Sequence, residues 1–274
     1  MKRALLAALI FLLSACGRQD DAAWLGYAEG DNAFVAAPLA GWLAKVAVRR
    51  GDVVKNGDLL FTLDDTSQAA ARDQALAAIA FAEGQMREAE ASLALTQKEL
   101  VRQSGLVRVG AGTKQNYDIA KANYDQAAAR VAQIRAQAAH AHAALANAKY
   151  QLSERDVVAR TTGRVEDVYF RTGEYAPAMT PVVAILPPEN VYVRFFVPET
   201  QFARIKLGQR VAISCDGCAA GITATISFIA QREEFTPPVI FSIGSREKLV
   251  FKVEARMPGG LKLNPGQPVQ VRPL

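Results

Sequence analysis

Cys215-Asp-Gly-Cys218 places two sulfur side chains at a spacing that could do chemistry. Such a pair can bridge as a disulfide, supply half of a tetrahedral zinc site, or cycle as a redox dithiol. Zinc needs two further nitrogen or sulfur ligands, and no second pair stands in the chain. A redox motif belongs at a helix start in a βαβ setting, whereas this one falls between strand-like segments. A structural disulfide across a turn is the expected state, with reduced thiols the alternative. His140 and His142 are two apart, so on a helix they point about 200° from each other and cannot share a metal on one face. Val109-Gly-Ala-Gly-Thr-Lys114 has the glycines of a phosphate-binding loop but not its Gly-Lys-Ser/Thr order, and a helix-like segment precedes it. It reads as a turn. No Ser/His/Asp set or paired carboxylates stand out, so no catalytic residue and no metal site are assigned, and an enzyme is not expected.

The remaining chemistry is at the N-terminus. Met1-Lys2-Arg3 is a basic start, and Ala4 to Leu13 is an uncharged apolar run. That run is too short for a membrane span, which needs roughly 20 apolar residues, and fits a signal-peptide core. The following Leu13-Ser-Ala-Cys16 resembles a bacterial lipobox, which implies cleavage after Ala15 and a diacylglyceryl group on the Cys16 thiol. Removing Lys2 and Arg3 from a formal charge of +5 leaves +3 on the mature chain (5 − 2). So small an excess makes no case for nucleic acid.

Two elements would have to position anything else. Ile79, Met86, Leu93, Leu100 and Val107 recur every seven residues, with Ala75, Ala82, Ala89, Thr96 and Gln103 at the complementary step. After Gly110-Ala-Gly112, a second series runs Tyr117, Tyr124, Val131, Ala138, Leu145 and Leu152, beside Ala120, Ala127, Ile134, Ala141 and Ala148. These are a/d heptads on two arms, and the glycine pair permits a tight reversal between them. The spacing predicts an antiparallel hairpin over 67–156, with Gly110 and Gly112 at its turn. The hairpin splits a repeat. Gly41 to Val46, then Gly51-Asp52, Leu60 and Leu63, matches Gly163 to Val168, then Gly173-Glu174, Val182 and Ile185, at one constant offset (163 − 41 = 122). Each half reads as short strands that cannot bury an apolar face alone.

The run Gly51-Asp-Val-Val-Lys-Asn-Gly-Asp-Leu-Leu-Phe-Thr-Leu63 resembles a biotinyl/lipoyl domain. No Lys stands at an equivalent hairpin tip, so neither a lipoyl nor a biotinyl lysine, nor any other cofactor, is expected. A lipoyl-like sandwich split by a coiled-coil hairpin, behind a lipoprotein signal, resembles the membrane fusion protein family, the HlyD-type periplasmic adaptors of tripartite efflux systems. The segment Val191 to Ile213 resembles that family's β-barrel. The segments Glu234 to Pro238, Arg246 to Phe251 and Pro265 to Val269 resemble its YbhG-like branch.

The resemblance implies a mixed α+β fold in this order: signal peptide 1–15, lipid anchor and linker 16–31, lipoyl-like halves 32–66 and 157–188, hairpin 67–156, and barrel with C-terminal strands 189–274. Arg102, Leu106 and Thr113 keep the spacing of the Arg, Leu and Ser with which such hairpin tips dock TolC-like channels, Thr replacing Ser. An Arg offers a forked donor, a Leu an apolar knob, and the hydroxyl a helix cap. The implied partners are an inner-membrane ABC exporter of separate ATPase and permease chains, a TolC-like outer-membrane channel, and further copies of the chain in a ring. The implied location is the periplasm of a Gram-negative bacterium, held by lipid to the inner membrane although Gly17 replaces the Asp common there. The alternatives are an adaptor for a proton-driven exporter, and a structural lipoprotein scaffold without a channel partner.

Overall fold

The computed structural model of the chain describes residues 23–219, 221–235 and 249–274. Cys16, the expected signal peptide and residues 236–248 lie outside the described residues. The chain divides into two compact units. One holds residues 34–160 with 167–183; the other holds, of its described residues, 23–33, 161–166, 184–219, 221–235 and 249–274.

Ala, Gln, Glu, Lys and Arg dominate the hairpin and favour helix, while the apolar positions form only a narrow stripe. Helix α1 spans Thr66–Arg108 and α2 spans Lys114–Ser153. At 1.5 Å per residue each arm is about 60 Å long. Their seam buries Ala75, Ile79, Ala82 and Ala89 from α1 against Ala120, Ala127, Val131, Ile134, Ala141 and Ala148 from α2. Met86 and Leu93 pack against the central cluster of Ala89, Val131 and Ile134. The alanines along the seam let the two helices approach closely. Towards the turn the seam becomes polar. There the Thr96 hydroxyl donates back to the carbonyls of Ser92 and Leu93, at 3.1 and 3.0 Å.

Both ends of the hairpin meet a sheet. Strands β3 (Gly41–Val46), β5 (Leu59–Leu63), β6 (Asp156–Val158) and β8 (Tyr175–Ala176) form one sheet in the order β6-β5-β3-β8. Strands β2 (Ala33–Ala36), β4 (Val53–Val54), β7 (Gly163–Val168) and β9 (Pro181–Leu186) form another, in the order β2-β9-β7-β4. Each sheet takes two strands from before the hairpin and two from after it. Neither half of the repeat is therefore a folding unit by itself.

The last sheet is a closed barrel, β1-β10-β13-β12-β11-β14. Its strands are β1 (Trp24–Gly30), β10 (Val191–Pro198), β11 (Arg210–Ser214), β12 (Ile222–Phe235), β13 (Leu249–Arg256) and β14 (Pro268–Pro273). Here the expected linker over 16–31 is corrected. Trp24 to Gly30 is a barrel strand, hydrogen-bonded to β10 and β14 on its two sides. The reason is packing: Trp24 and Ala28 point inward, and the Trp24 ring stacks on Phe195 at 5.6 Å. Gly26 lies so close to Phe195 that a Cβ would sit 2.6 Å from the Phe195 Cβ. On the outer wall, Arg194 Nη1 and Nη2 donate to Glu29 Oε1 and Glu254 Oε1 at 2.6 and 3.0 Å, tying three neighbouring strands. The Tyr192 hydroxyl donates to Glu29 Oε2 at 2.7 Å. Burial, and then the Glu29 carboxylate, hold that phenol well above its usual range. Across the β11–β12 turn Cys215 and Cys218 form a disulfide with Cα atoms 5.3 Å apart, and Gln267 Nε2 donates to both sulfurs at 3.4 Å.

Seam burial, not apolarity as such, sets the hairpin's stability. Ile134 is 2% exposed, and truncating it to Ala should cost about 3 kcal/mol. Phe81, 69% exposed on α1, should cost under about 0.5 kcal/mol on the same change. Urea unfolding followed by helical circular dichroism separates the two.

Candidate functional site

The end of the hairpin is a built turn. Gly110 takes a φ of +78°, the left-handed conformation that ends many helices. Gly110 N–H donates to Val107 O at 3.1 Å, and Ala111 N–H donates to Leu106 O at 2.9 Å. This pair of bonds is a Schellman motif, and it satisfies carbonyls that the end of α1 would otherwise leave open. Gly112 N–H also donates to Leu106 O, at 3.1 Å. A Cβ on Gly112 would stand 2.9 Å from Leu106 Cβ and 3.0 Å from Val107 N, so this position needs glycine for close approach. Thr113 then caps α2: its hydroxyl oxygen accepts from Asn116 N–H at 3.2 Å. The backbone donors of this glycine loop are thus turned back onto α1.

Arg102 and Leu106 lie one turn apart on α1, below this turn. The Arg102 side chain is 68% exposed, and its Nη2 pairs with Glu99 Oε2. Gln103 Nε2 donates to the other Glu99 oxygen at 2.8 Å. The guanidinium is therefore held upright by its own helix with donors left for a partner. Leu106 is 37% exposed, half tucked beneath Gly112. Sequence reasoning placed these three side chains but passed over two neighbours. Glu99 orients Arg102, and Val109, 71% exposed, stands at the end of α1. The signal for Val109 was present: Phe81, Leu95, Arg102 and Val109 share one heptad column (81 + 14, 95 + 7, 102 + 7) outside the a/d seam.

The other candidates are not brought to this site. Cys215 and Cys218 lie in the barrel unit. His140 and His142 are both exposed on α2. Among the described residues no group of three or more His, Cys, Asp or Glu is placed to hold a metal. Among the described residues, too, no helix is long and apolar enough to cross a membrane.

Residues 78–154 match the family model for the RND MFP alpha-helical hairpin domain. The hairpin is thus similar to that domain of the RND MFP family over a little under a third of the chain. The colistin resistance protein EmrA of Acinetobacter baumannii is 28% identical over 77% of this chain and 70% of its own length. The pyoverdine export membrane fusion protein PvdR of Pseudomonas putida is 40% identical over 64% of this chain, but the match spans only 45% of PvdR. A UPF0194 membrane protein of Acidithiobacillus ferridurans, 28% identical, is matched over 32% of its length. Among solved structures, MacA from Actinobacillus actinomycetemcomitans superposes with a TM-score of 0.71 at 18% identity, covering 91% of this chain and 76% of that one. The fold, with hairpin, split sandwich and barrel, is thus shared with MacA at low sequence identity.

The turn geometry assigns separate costs to its residues. Thr113→Ala should cost about 1 kcal/mol by removing the cap. Gly112→Val should cost more, because its side chain must displace the Leu106 backbone. Hydrogen exchange read at amides 108–117 should speed up in both variants, and more in the second, while amides near Ile134 keep their protection.

Proposed function

We propose that this chain is a membrane fusion protein, a periplasmic adaptor for efflux, anchored by lipid at Cys16 and joining an inner-membrane ABC exporter to a TolC-like outer-membrane channel. The observation that supports this reading most is the hairpin: about 60 Å of narrow coiled coil ending in a capped turn with an exposed Arg, Leu and hydroxyl. A rod of that length serves reach, and its seam is too narrow to bury much else. Arg102 would donate its free fork to carbonyls or carboxylates on a channel helix. Leu106 would insert as an apolar knob, and the Thr113 hydroxyl keeps a proton to donate outward while it caps α2. Copies of the chain would form a ring around the export path. The energy would come from the exporter, and the resemblance of three segments to the YbhG-like branch supports one of the ABC class. A second reading, an adaptor for a proton-driven pump, is favoured by the RND description of the hairpin model that matches. Loss of export on ATP depletion or on uncoupling separates the two.

A photo-reactive residue at Leu106 should form an adduct with a TolC-like channel in intact cells, identified by mass spectrometry. Arg102→Glu should lower that adduct and export together by about tenfold, the size of one lost interface anchor. Adducts formed only between copies of this chain, with the channel abundant, would overturn the docking claim.

A further inference from the structure

Among the described residues the two rims of the barrel differ in charge. Because neighbouring strands are antiparallel, β1 begins, β10 ends, β11 begins and β14 ends at one and the same rim. The connection there, residues 199–209, holds a single helical turn, Glu199–Phe202, and then a tight turn from Lys206 to Gln209. Gln209 N–H donates to Lys206 O at 3.1 Å, and Lys206 N–H donates to Gln209 Oε1 at 3.0 Å. Gly208 adopts a φ of +82°. This doubly bonded turn presents Leu207, 68% exposed, at its tip. Around it stand Arg204, Lys206, Arg210 and Arg272, all exposed. Arg210 donates to Thr223 Oγ1 at 3.4 Å; Arg204, Lys206 and Arg272 enter no ion pair among the described residues.

Glu199 is the one carboxylate in the 199–210 segment. The adjoining strands β12 and β13 add Arg232 and Lys252. At the opposite rim Asp31, Glu189 and Asp216 offset Arg256 and Lys262.

We infer that the Arg204–Leu207–Arg272 rim of the barrel docks on the surface of a bilayer containing anionic phospholipid. Arg and Lys with an exposed Leu among them suit a headgroup layer: the cations meet phosphates and the apolar tip enters the acyl boundary. The length of chain outside the described residues points the same way. Trp24 begins β1 at this rim, eight residues after Cys16, so a lipid on Cys16 would hold the rim within about 28 Å of the bilayer. That tether argument rests on the lipid-anchor part of the proposed function; the charge argument does not.

The test places a photo-reactive residue at Leu207 of the full chain, in phosphatidylcholine vesicles with and without phosphatidylglycerol. Phospholipid adducts should form in the anionic vesicles. They should fall about tenfold in neutral vesicles, at high salt, and in an Arg204→Glu, Lys206→Glu, Arg272→Glu variant whose circular dichroism is unchanged. No lipid adduct, or equal adducts under all four conditions, would overturn the inference. So would adducts at Leu207 in cells made only with a membrane protein, which would give this rim to a protein partner. The intact mass of the Cys16 peptide keeps the two readings apart. A chain without lipid that still gives anionic-lipid adducts supports the rim and sinks the anchor. A lipidated chain without them does the reverse, and neither result touches the Leu106 adduct.

Discussion

The hydrogen bond from Leu63 N–H to Arg155 O, at 2.9 Å, marks where the chain leaves its sheet for the hairpin and where it returns. Strands β5 and β6 are neighbours there, and the Thr62 hydroxyl donates to Asp156 Oδ1 at 2.9 Å. Two strands about 4.8 Å apart must therefore feed two helices whose axes stand at about 8–10 Å. That constraint forces the helices to be antiparallel, sets their register, and requires small residues along the seam. The same junction buries Arg155, whose Nη1 donates to Ala40 O at 3.2 Å. Gly41 lies beneath it, and a Cβ there would sit 2.9 Å from that nitrogen. The glycine that opens each half of the repeat has a packing task in both places. A Cβ on Gly163 would meet Ile185 Cγ2 at 2.8 Å.

The far end of the hairpin solves a different problem with the same economy of residues. A long helix must end and reverse without leaving carbonyls open, and the exposed end can use no core to do so. Leu106 carbonyl takes two N–H groups, Gly110 supplies the left-handed residue, and Thr113 starts the return. The turn is held by backbone bonds, so the side chains of Arg102, Leu106 and Val109 are free of structural duty on their outer faces. A tip of this kind can vary its contacts without unfolding its hairpin.

The barrel closes by bringing together segments from distant parts of the chain. Strand β1 comes from before the repeat and completes a sheet whose other strands all follow it. Trp24 and Ala28 enter the core, while Glu29 and Arg194 join the strands on the outer wall. Burial of Tyr192 beneath Arg256, whose guanidinium lies 4.3 Å from the ring centroid, adds to that wall.

Much of this was legible in the residues themselves. The heptads of Ile79 to Val107 and Tyr117 to Leu152 determined two helices and their seam, because a period of seven survives any context that keeps the helix continuous. The glycine pair determined the reversal, since few other residues permit it. The offset repeat announced a split sandwich, and the CxxC spacing left a turn disulfide as the bland outcome. What lay beyond reach was pairing over long separations. Trp24-Leu-Gly-Tyr-Ala-Glu-Gly30 has two glycines and no apolar alternation, so its pattern does not declare a strand. Its partners stand more than 160 residues away, as in Glu29 opposite Tyr192 (192 − 29 = 163). Likewise Glu99 on Arg102, and the gathering of Arg204, Lys206, Arg210 and Arg272 at one rim, follow from side-chain direction and barrel closure. The sequence by itself determined the elements, whose causes are local and periodic. Tertiary structure alone decided which strand closes the barrel and which charges share a face, because these depend on contacts for which the chain carries no periodic signal.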